Sequence, residues 1–254
     1  MNSLALFALA FLCPLAGVCV GMTFRRWLPE PHLSRDSTDV IKLATGLMAT
    51  LVALVLSLLV SSANSFYGTV ESEYKQALAD VIQLDRYLEA YGPEAAELRT
   101  LARHLVVQTF QQRWPDDDFG PKETARAAGR EPLIDLERGI LGLAPTDATR
   151  KWFQSQALQL TQRLVAVRQL LSSAESGRPL PPLILVVLLV CSAFIFASFS
   201  LFVQPNPTVI VALGVAALAV ASAVFLIVEL NSPYGGLLQL SSAPAHAVLA
   251  ALMR

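Results

Sequence analysis

From Ser3 to Phe24, and again from Leu183 to Val203, the chain carries no charged side chain at all. Two further stretches come close: Ile41 to Ala63 holds only Lys42, and Thr208 to Leu230 holds only Glu229. A bilayer core about 30 Å thick needs roughly 20 apolar residues in a helix to cross it, and each stretch meets that length. Between the second and third stretches the composition is that of a water-soluble protein. Overall the sequence is 54% hydrophobic and 15% charged, against about 25% charged in soluble domains. Two solvents acting on one chain produce this segregation. Because lipid offers no partner to backbone N–H and C=O groups, the spans must be helical. The expected fold is an all-α membrane protein with four transmembrane helices in two hairpins and a helical bundle domain inserted between helices 2 and 3. The expected divisions are 1–65 for the first hairpin, 66–180 for the extramembrane domain, 181–230 for the second hairpin, and 231–254 for a C-terminal turn and short interfacial helix.

The first stretch lacks the basic n-region of a signal peptide and is long for an h-region, so it reads as a retained span. It ends at Arg25-Arg26-Trp27, a pairing of cations with an indole that suits the headgroup region. Leu28 to Asp39 reads as a loop, with Ser37 or Asp39 capping the next helix. The second span runs without a break into a strongly helical stretch that Gly92-Pro93 stops after Tyr91. Glu94 to Arg113 repeats Leu98, Leu101, Ala102, Leu105, Val106 and Phe110 at helical spacing. A shorter helix is expected within Lys122 to Leu141. A long helix is expected from Thr146 or Asp147 to Ser176, its apolar stripe formed by Trp152, Phe153, Ala157, Leu160, Leu164, Val167 and Leu171. Gly177 to Pro182 reads as a hinge. The link Gln204-Pro205-Asn206-Pro207 is short enough to make spans three and four a tight hairpin. A last apolar helix with Pro244 in its first turn is too short to cross, and is expected to lie at the interface or on the bundle.

Several functions are set aside on composition. Net charge is −1 with no basic block, which removes nucleic acid as a partner. Cys13, Cys19 and Cys191 all lie in apolar runs and read as small packing residues. Asp116-Asp117-Asp118 lacks the alternating ligands and closing Glu of a calcium loop, and reads as a solvated turn. His32, His104 and His246 show no metal-ligand spacing. No hydrolase, nucleotide or dinucleotide fingerprint is present, so neither a cofactor nor an enzymatic activity is expected. Four spans place both termini and the bundle on one side of the membrane. Arg25, Arg26, Arg35 and Lys42 on the other side nearly balance Lys75, Arg168, Arg178 and Arg254, so basic residues alone do not choose which side is cytoplasmic.

The second span carries the most specific pattern. Gly46, Thr50, Ala53, Ser57, Ser61 and Asn64 or Ser65 recur at steps of three and four and share one face. One reading is close helix packing, in which small residues let backbones approach and hydroxyls bond a neighbour. The other is a pore lining, in which several copies turn this face toward a common aqueous axis. Phe66 and Tyr67 at its end are either interfacial anchors or a ring at a pore mouth. Glu229, at the end of the fourth span, either accepts backbone amide protons or sits at the headgroup boundary.

The run Glu229-Leu230-Asn231-Ser232-Pro233-Tyr234-Gly235-Gly236 resembles a family of bacterial membrane proteins with a bestrophin-like domain. The resemblance extends over nearly the whole chain, through the Gly46 to Ser65 span, the Glu71-Ser72-Glu73 segment after it, and Phe196-Ala197-Ser198-Phe199. Bestrophins proper have an acidic residue followed by a Pro-Phe-Gly turn after their fourth helix. Glu229, Pro233, Tyr234 and Gly235 match it as a structural turn, with Tyr in place of Phe. The resemblance implies a homo-oligomeric ion channel of a bacterial inner membrane, its helical domain cytoplasmic. It makes Gly46, Thr50, Ala53, Ser57, Ser61, Asn64 and Ser65 the pore-lining candidates, Phe66 and Tyr67 the pore-mouth candidates, and small inorganic ions the cargo. Leu237-Leu238-Gln239-Leu240 stands where animal bestrophins carry an acidic calcium-holding run, so no calcium clasp carries over. The alternative is a membrane-anchored assembly protein whose helical domain recruits a partner without transport.

Overall fold

The computed structural model describes residues 3–27, 35–115, 117–119, 132–175, 182–203, 206–235 and 237–253. His32, Asp116, Arg178, Gly236 and Arg254, the 28–34 part of the expected loop and most of the expected hinge lie outside them. All regular structure among the described residues is helical: α1 Ser3–Arg25, α2 Arg35–Tyr91, α3 Ala96–Arg113, α4 Pro132–Leu141, α5 Ala148–Glu175, α6 Pro182–Phe202, α7 Pro207–Leu230 and α8 Ala243–Leu252, with a 3-10 turn at Pro93–Ala95. Among the described residues four helices are long and apolar enough to cross a membrane: α1, the first part of α2, α6 and α7. The chain forms two compact units, Met1–Tyr67 with Gly177–Leu238, and Gly68–Ser176 with Gln239–Arg254.

Most helix ends follow from local chemistry. Gly92 ends α2 with a φ of 124°, a left-handed conformation that disfavours other residues. Asp147 caps α5, its Oδ1 accepting the Arg150 amide at 2.8 Å. Asn206 caps α7, its Oδ1 accepting the Thr208 amide at 3.4 Å, with Pro207 in the first turn. One expectation is corrected. The α2 helix begins at Arg35, so Ser37 and Asp39 lie inside the helix instead of before it. The prolines of that region stop at Pro31, and acidic Asp36 and Asp39 suit a helix N-terminus.

In the first unit α1 packs on both α6 and α7. Two glycines one helical turn apart make the α1–α6 approach possible. A Cβ at Gly17 would strike the Ala193 carbonyl, and one at Gly21 would strike the Ala197 carbonyl and Ser200 Oγ. Across this close contact Ser200 Oγ, buried, lies 3.0 Å from the Val18 carbonyl and donates to it. A small residue with a hydroxyl partner is the way membrane helices associate when no hydrophobic drive exists between them. Phe7 meets Phe225 of α7 edge to face at 5.8 Å. The large apolar residues left outside, among them Leu12, Val20, Leu47, Leu58, Val190 and Val211, are exposed along the four spans. In water that surface would drive aggregation; in lipid it is solvated.

The second unit has its own core. Leu84, Leu88, Leu105, Leu136, Ile140 and Ala157 are buried together, contributed by α2, α3, α4 and α5. The stripe of α5 differs from expectation at Trp152, which is 51% exposed. It packs edge on against Tyr87 at 5.6 Å without being covered. Thr161 takes an interior place instead, its hydroxyl satisfied by the Ala157 carbonyl one turn back at 2.9 Å. A charged knot joins α2 and α3 beside this core. Asp85 accepts from Nε and Nη2 of Arg99, both at 2.9 Å, and from Nε and Nη2 of Arg103 at 2.8 and 3.0 Å. Burial works against the charge on Asp85, yet the two guanidinium forks outweigh it and hold the carboxyl below its ordinary range. At the far end of the bundle Arg150 pairs with Glu94 at 2.8 Å and lies over the Tyr91 ring. Helix α8 joins this unit through Ala245, Val248, Leu249 and Leu252, all buried. His246 stacks on Phe119 at 4.3 Å, and Trp114 donates its indole N–H to the Leu240 carbonyl at 3.3 Å.

Candidate functional site

Within its apolar stretch α2 has three faces. Thr45, Met48, Ala49, Val52, Leu56, Leu59, Val60 and Ala63 are buried or half-buried and turn toward the rest of the unit. Met48, Ala49 and Val52 pack on Val18, Ile195, Phe196 and Ala217. Ala63 packs on Ile227 and Leu230. A second face, Leu47, Leu51, Leu54, Val55 and Leu58, is bulky and exposed. The third holds Gly46, Thr50, Ala53, Ser57, Ser61 and Asn64, and every one of them is exposed. At 100° per residue this polar face lies about a third of a turn from the packed one.

The small polar residues are therefore not used to pack α2 within its own chain. Nothing lies within 4 Å of where a Gly46 Cβ would be. Only 6% of the apolar window of α2 is buried, against 33% in α1 and 39% in α6, so α2 keeps the most surface free for other molecules. Thr50 Oγ1 donates to the Gly46 carbonyl at 2.7 Å, which satisfies its proton on its own helix and leaves the oxygen outward. Ser65 is exposed but lies further round, toward the bulky face. Phe66 is half-buried. Tyr67 packs with Ala63 against Ile227 and Leu230, which places it on the packed face and away from the polar one.

The turn after α7 is built around Glu229. Its side chain is 2% exposed and Oε2 accepts the Leu237 amide at 2.6 Å and the Leu238 amide at 3.4 Å. Asn231 Nδ2 donates to the Ile227 carbonyl at 2.8 Å, which also accepts the Asn231 backbone amide at 3.1 Å, so this carbonyl at the helix end is bonded twice. The Gly235 amide donates to the Ser232 carbonyl at 3.1 Å, closing a tight turn over buried Pro233. Tyr234 is half-buried and Gly235 exposed. Of the two readings open for Glu229, the amide-binding one describes this geometry. Its Oε2 has two backbone partners and serves a structural purpose. Cys13 has a partner on α6, its thiol donating to the Leu189 carbonyl at 3.6 Å. Among the described residues, no three His, Cys, Asp or Glu side chains come together as a metal site.

What these observations define first is a class: a helical membrane protein with four long apolar helices and a helical unit between the second and third. A family model described as the bestrophin-like domain matches residues 12–245, and the chain belongs to that family. Among solved structures it is similar to a bacterial Bestrophin homolog from Klebsiella pneumoniae, at 15% identity and a TM-score of 0.59, covering 99% of this chain and 97% of that one. A point variant of that homolog gives 17% identity and a TM-score of 0.58, with 96% of both chains covered. A further membrane protein crystal structure gives 14% identity and a TM-score of 0.59, covering 99% of this chain and 97% of that one. At such identities the likeness is one of fold. No curated protein matches. Family and fold together support a channel-type membrane protein.

Proposed function

We propose that the protein is a homo-oligomeric ion channel in which the polar face of α2 lines the pore. One observation carries the reading: Gly46, Thr50, Ala53, Ser57, Ser61 and Asn64 are all exposed on a helix whose other outward face is leucine and valine. Hydroxyl and amide groups turned to hydrocarbon are costly without partners. A ring of copies would give this face water and ions, while Leu47, Leu51 and Leu58 would meet lipid or a neighbouring copy. The buried Glu229 turn, with Pro233, Tyr234 and Gly235, would fix the end of α7 against the chain that follows. The membrane would be a bacterial inner membrane, with the helical unit on its cytoplasmic side.

The test is ion flux from the purified oligomer in liposomes. Ser57→Phe should reduce flux at least tenfold without changing the amount of oligomer recovered. Unaltered flux in that variant, or no flux from a well-folded wild-type oligomer, would sink the reading.

A second reading, a membrane-anchored assembly protein, draws support from Trp152, 51% exposed, and Leu170, 38% exposed, on α5. It requires that Trp152→Ser abolish recruitment of a soluble partner while Ser57→Phe leaves the phenotype intact.

A further inference from the structure

The helices of the second unit enclose a cavity as well as a core. It lies between α2, α3, α4, α5 and the end of α8 and has a volume of about 150 Å³. Its aliphatic walls include Leu136, Val167 and Leu252, all buried, so these side chains border the cavity and not solvent. Tyr74, Phe110 and Trp114 give the lining an aromatic part. The Trp114 ring centre lies 5.7 Å from that of Tyr74 and 6.3 Å from that of Phe110. The buried polar groups of the lining are engaged elsewhere. Each Asp85 oxygen accepts two bonds, one from Arg99 and one from Arg103, which uses the four lone-pair positions of a carboxylate. Tyr74 and Arg113 have partners of their own. Thr109 donates its hydroxyl proton to the Leu105 carbonyl at 2.7 Å, and Trp114 its indole N–H to the Leu240 carbonyl. Arg168 and Gln112 are exposed and Gln108 is half-buried, so their polar ends reach water.

We propose that this cavity is a binding site for a small neutral aromatic molecule of a single ring. The volume sets the size, since an engineered apolar cavity of ~150 Å³ takes up benzene. The aromatic part of the lining sets the shape, because a planar guest can meet Trp114 and Phe110 offset-stacked or edge to face. The engaged polar groups set the charge. An ionised guest would exchange water for walls whose buried charges already hold partners, and that exchange is costly. Side chains that border a cavity lack contact atoms on that side, and a guest of the right size supplies them. The site lies within the second unit and stands or falls independently of conduction through α2.

Trp114 gives a direct readout from the lining. The chain has three tryptophans, so Trp27→Phe with Trp152→Phe leaves Trp114 as the sole indole. The full-length protein, in lipid nanodiscs, is titrated with bromobenzene, whose heavy atom quenches indole fluorescence. Partition into lipid gives a component linear in concentration, and the cavity should add a saturable one. Val167→Phe should remove the saturable component by filling the cavity and leave the linear one. The anion 4-bromobenzoate, the same ring with a carboxylate, should need a concentration roughly tenfold higher or more. Because Val167→Phe adds bulk inside a core, its unfolding midpoint is measured alongside. A further measurement needs no cavity variant: toluene, which does not quench, should compete and move the bromobenzene midpoint upward in proportion to its own concentration. Quenching that is linear throughout overturns the site, as does a saturable component unchanged in folded Val167→Phe or untouched by toluene. Equal midpoints for bromobenzene and 4-bromobenzoate overturn its preference for a neutral guest.

Discussion

The carboxylate of Glu229 accepts the backbone amide of Leu237 at 2.6 Å from a position where its side chain is 2% exposed. The two residues are eight positions apart in the chain, and the bond closes the segment between them into a loop. A second amide, that of Leu238, shares the same oxygen. The acidic residue at the end of the last long helix is thus an anchor for the returning backbone.

Replacing Glu229 separates its hydrogen bonds from its charge. Glu229→Ala leaves two amides without their acceptor and should lower stability by about 1–3 kcal/mol. Glu229→Gln keeps one carbonyl acceptor and should recover part of that loss. Thermal unfolding of the detergent-solubilised protein ranks the three. An alanine variant as stable as wild type would contradict the anchor.

The glycines give a sharper contrast. At Gly17 an added methyl meets the Ala193 backbone, whereas at Gly214 nothing lies within 4 Å. Gly17→Ala should force α1 and α6 apart and cost about 1–3 kcal/mol as overpacking. Gly214→Ala should be neutral or gain up to about 1 kcal/mol from helix propensity. Equal unfolding midpoints for the two variants would remove the close α1–α6 contact from the account.

How much of this could be read from residues alone divides along physical lines. The four spans were legible because hydrocarbon acts on composition, and composition needs no knowledge of neighbours. Gly92, Asp147 and Pro244 were legible because caps and stops are local. The polar face of α2 was legible as a face, but which molecule it meets depends on copies that one chain does not encode by spacing. The small residues of α2 are compatible with close packing, yet within the chain such packing occurs on α1, where Gly17 and Gly21 carry the same signal at a four-residue step. The Asp85 knot joins residues 14 and 18 positions apart and depends on how α3 folds back, so no local pattern announces it. Trp152 fits the apolar stripe of α5 by spacing and stays half exposed, because a helical register says which residues share a side and not how far the neighbouring helices reach.

Asp85 should make the stability of the helical unit depend on acid. Its folded pKa lies below the ordinary value, so the stabilisation is fully present above about pH 4, near the unfolded pKa. It is lost as pH falls further, through the folded value. Asp85→Asn removes this dependence and leaves Arg99 and Arg103 without their shared carboxylate. A loss of about 2–4 kcal/mol at pH 7 is expected. The gap between the unfolding midpoints of the two proteins should be smaller at pH 3 than at pH 7. A constant gap between them would show that the charge of Asp85 is not the source.

The placement of the polar face in the assembled protein is best settled by chemistry that only water permits. Cys13, Cys19 and Cys191 are free thiols and are first replaced by alanine or serine. Single cysteines are then introduced at Ser57 on the polar face and at Leu58 on the bulky one. A charged methanethiosulfonate reacts with thiolate, which forms in water and not in hydrocarbon. If the polar face lines a pore, Ser57→Cys should react and its flux should fall severalfold, because a new bulky charge stands in the path. Leu58→Cys, a little under a third of a turn away, should react slowly and conduct as before. A small residue buried between copies would instead leave both positions unreactive. Reaction at Leu58 with protection at Ser57 would assign the aqueous surface to the other face and reverse the proposed arrangement of α2 around the axis.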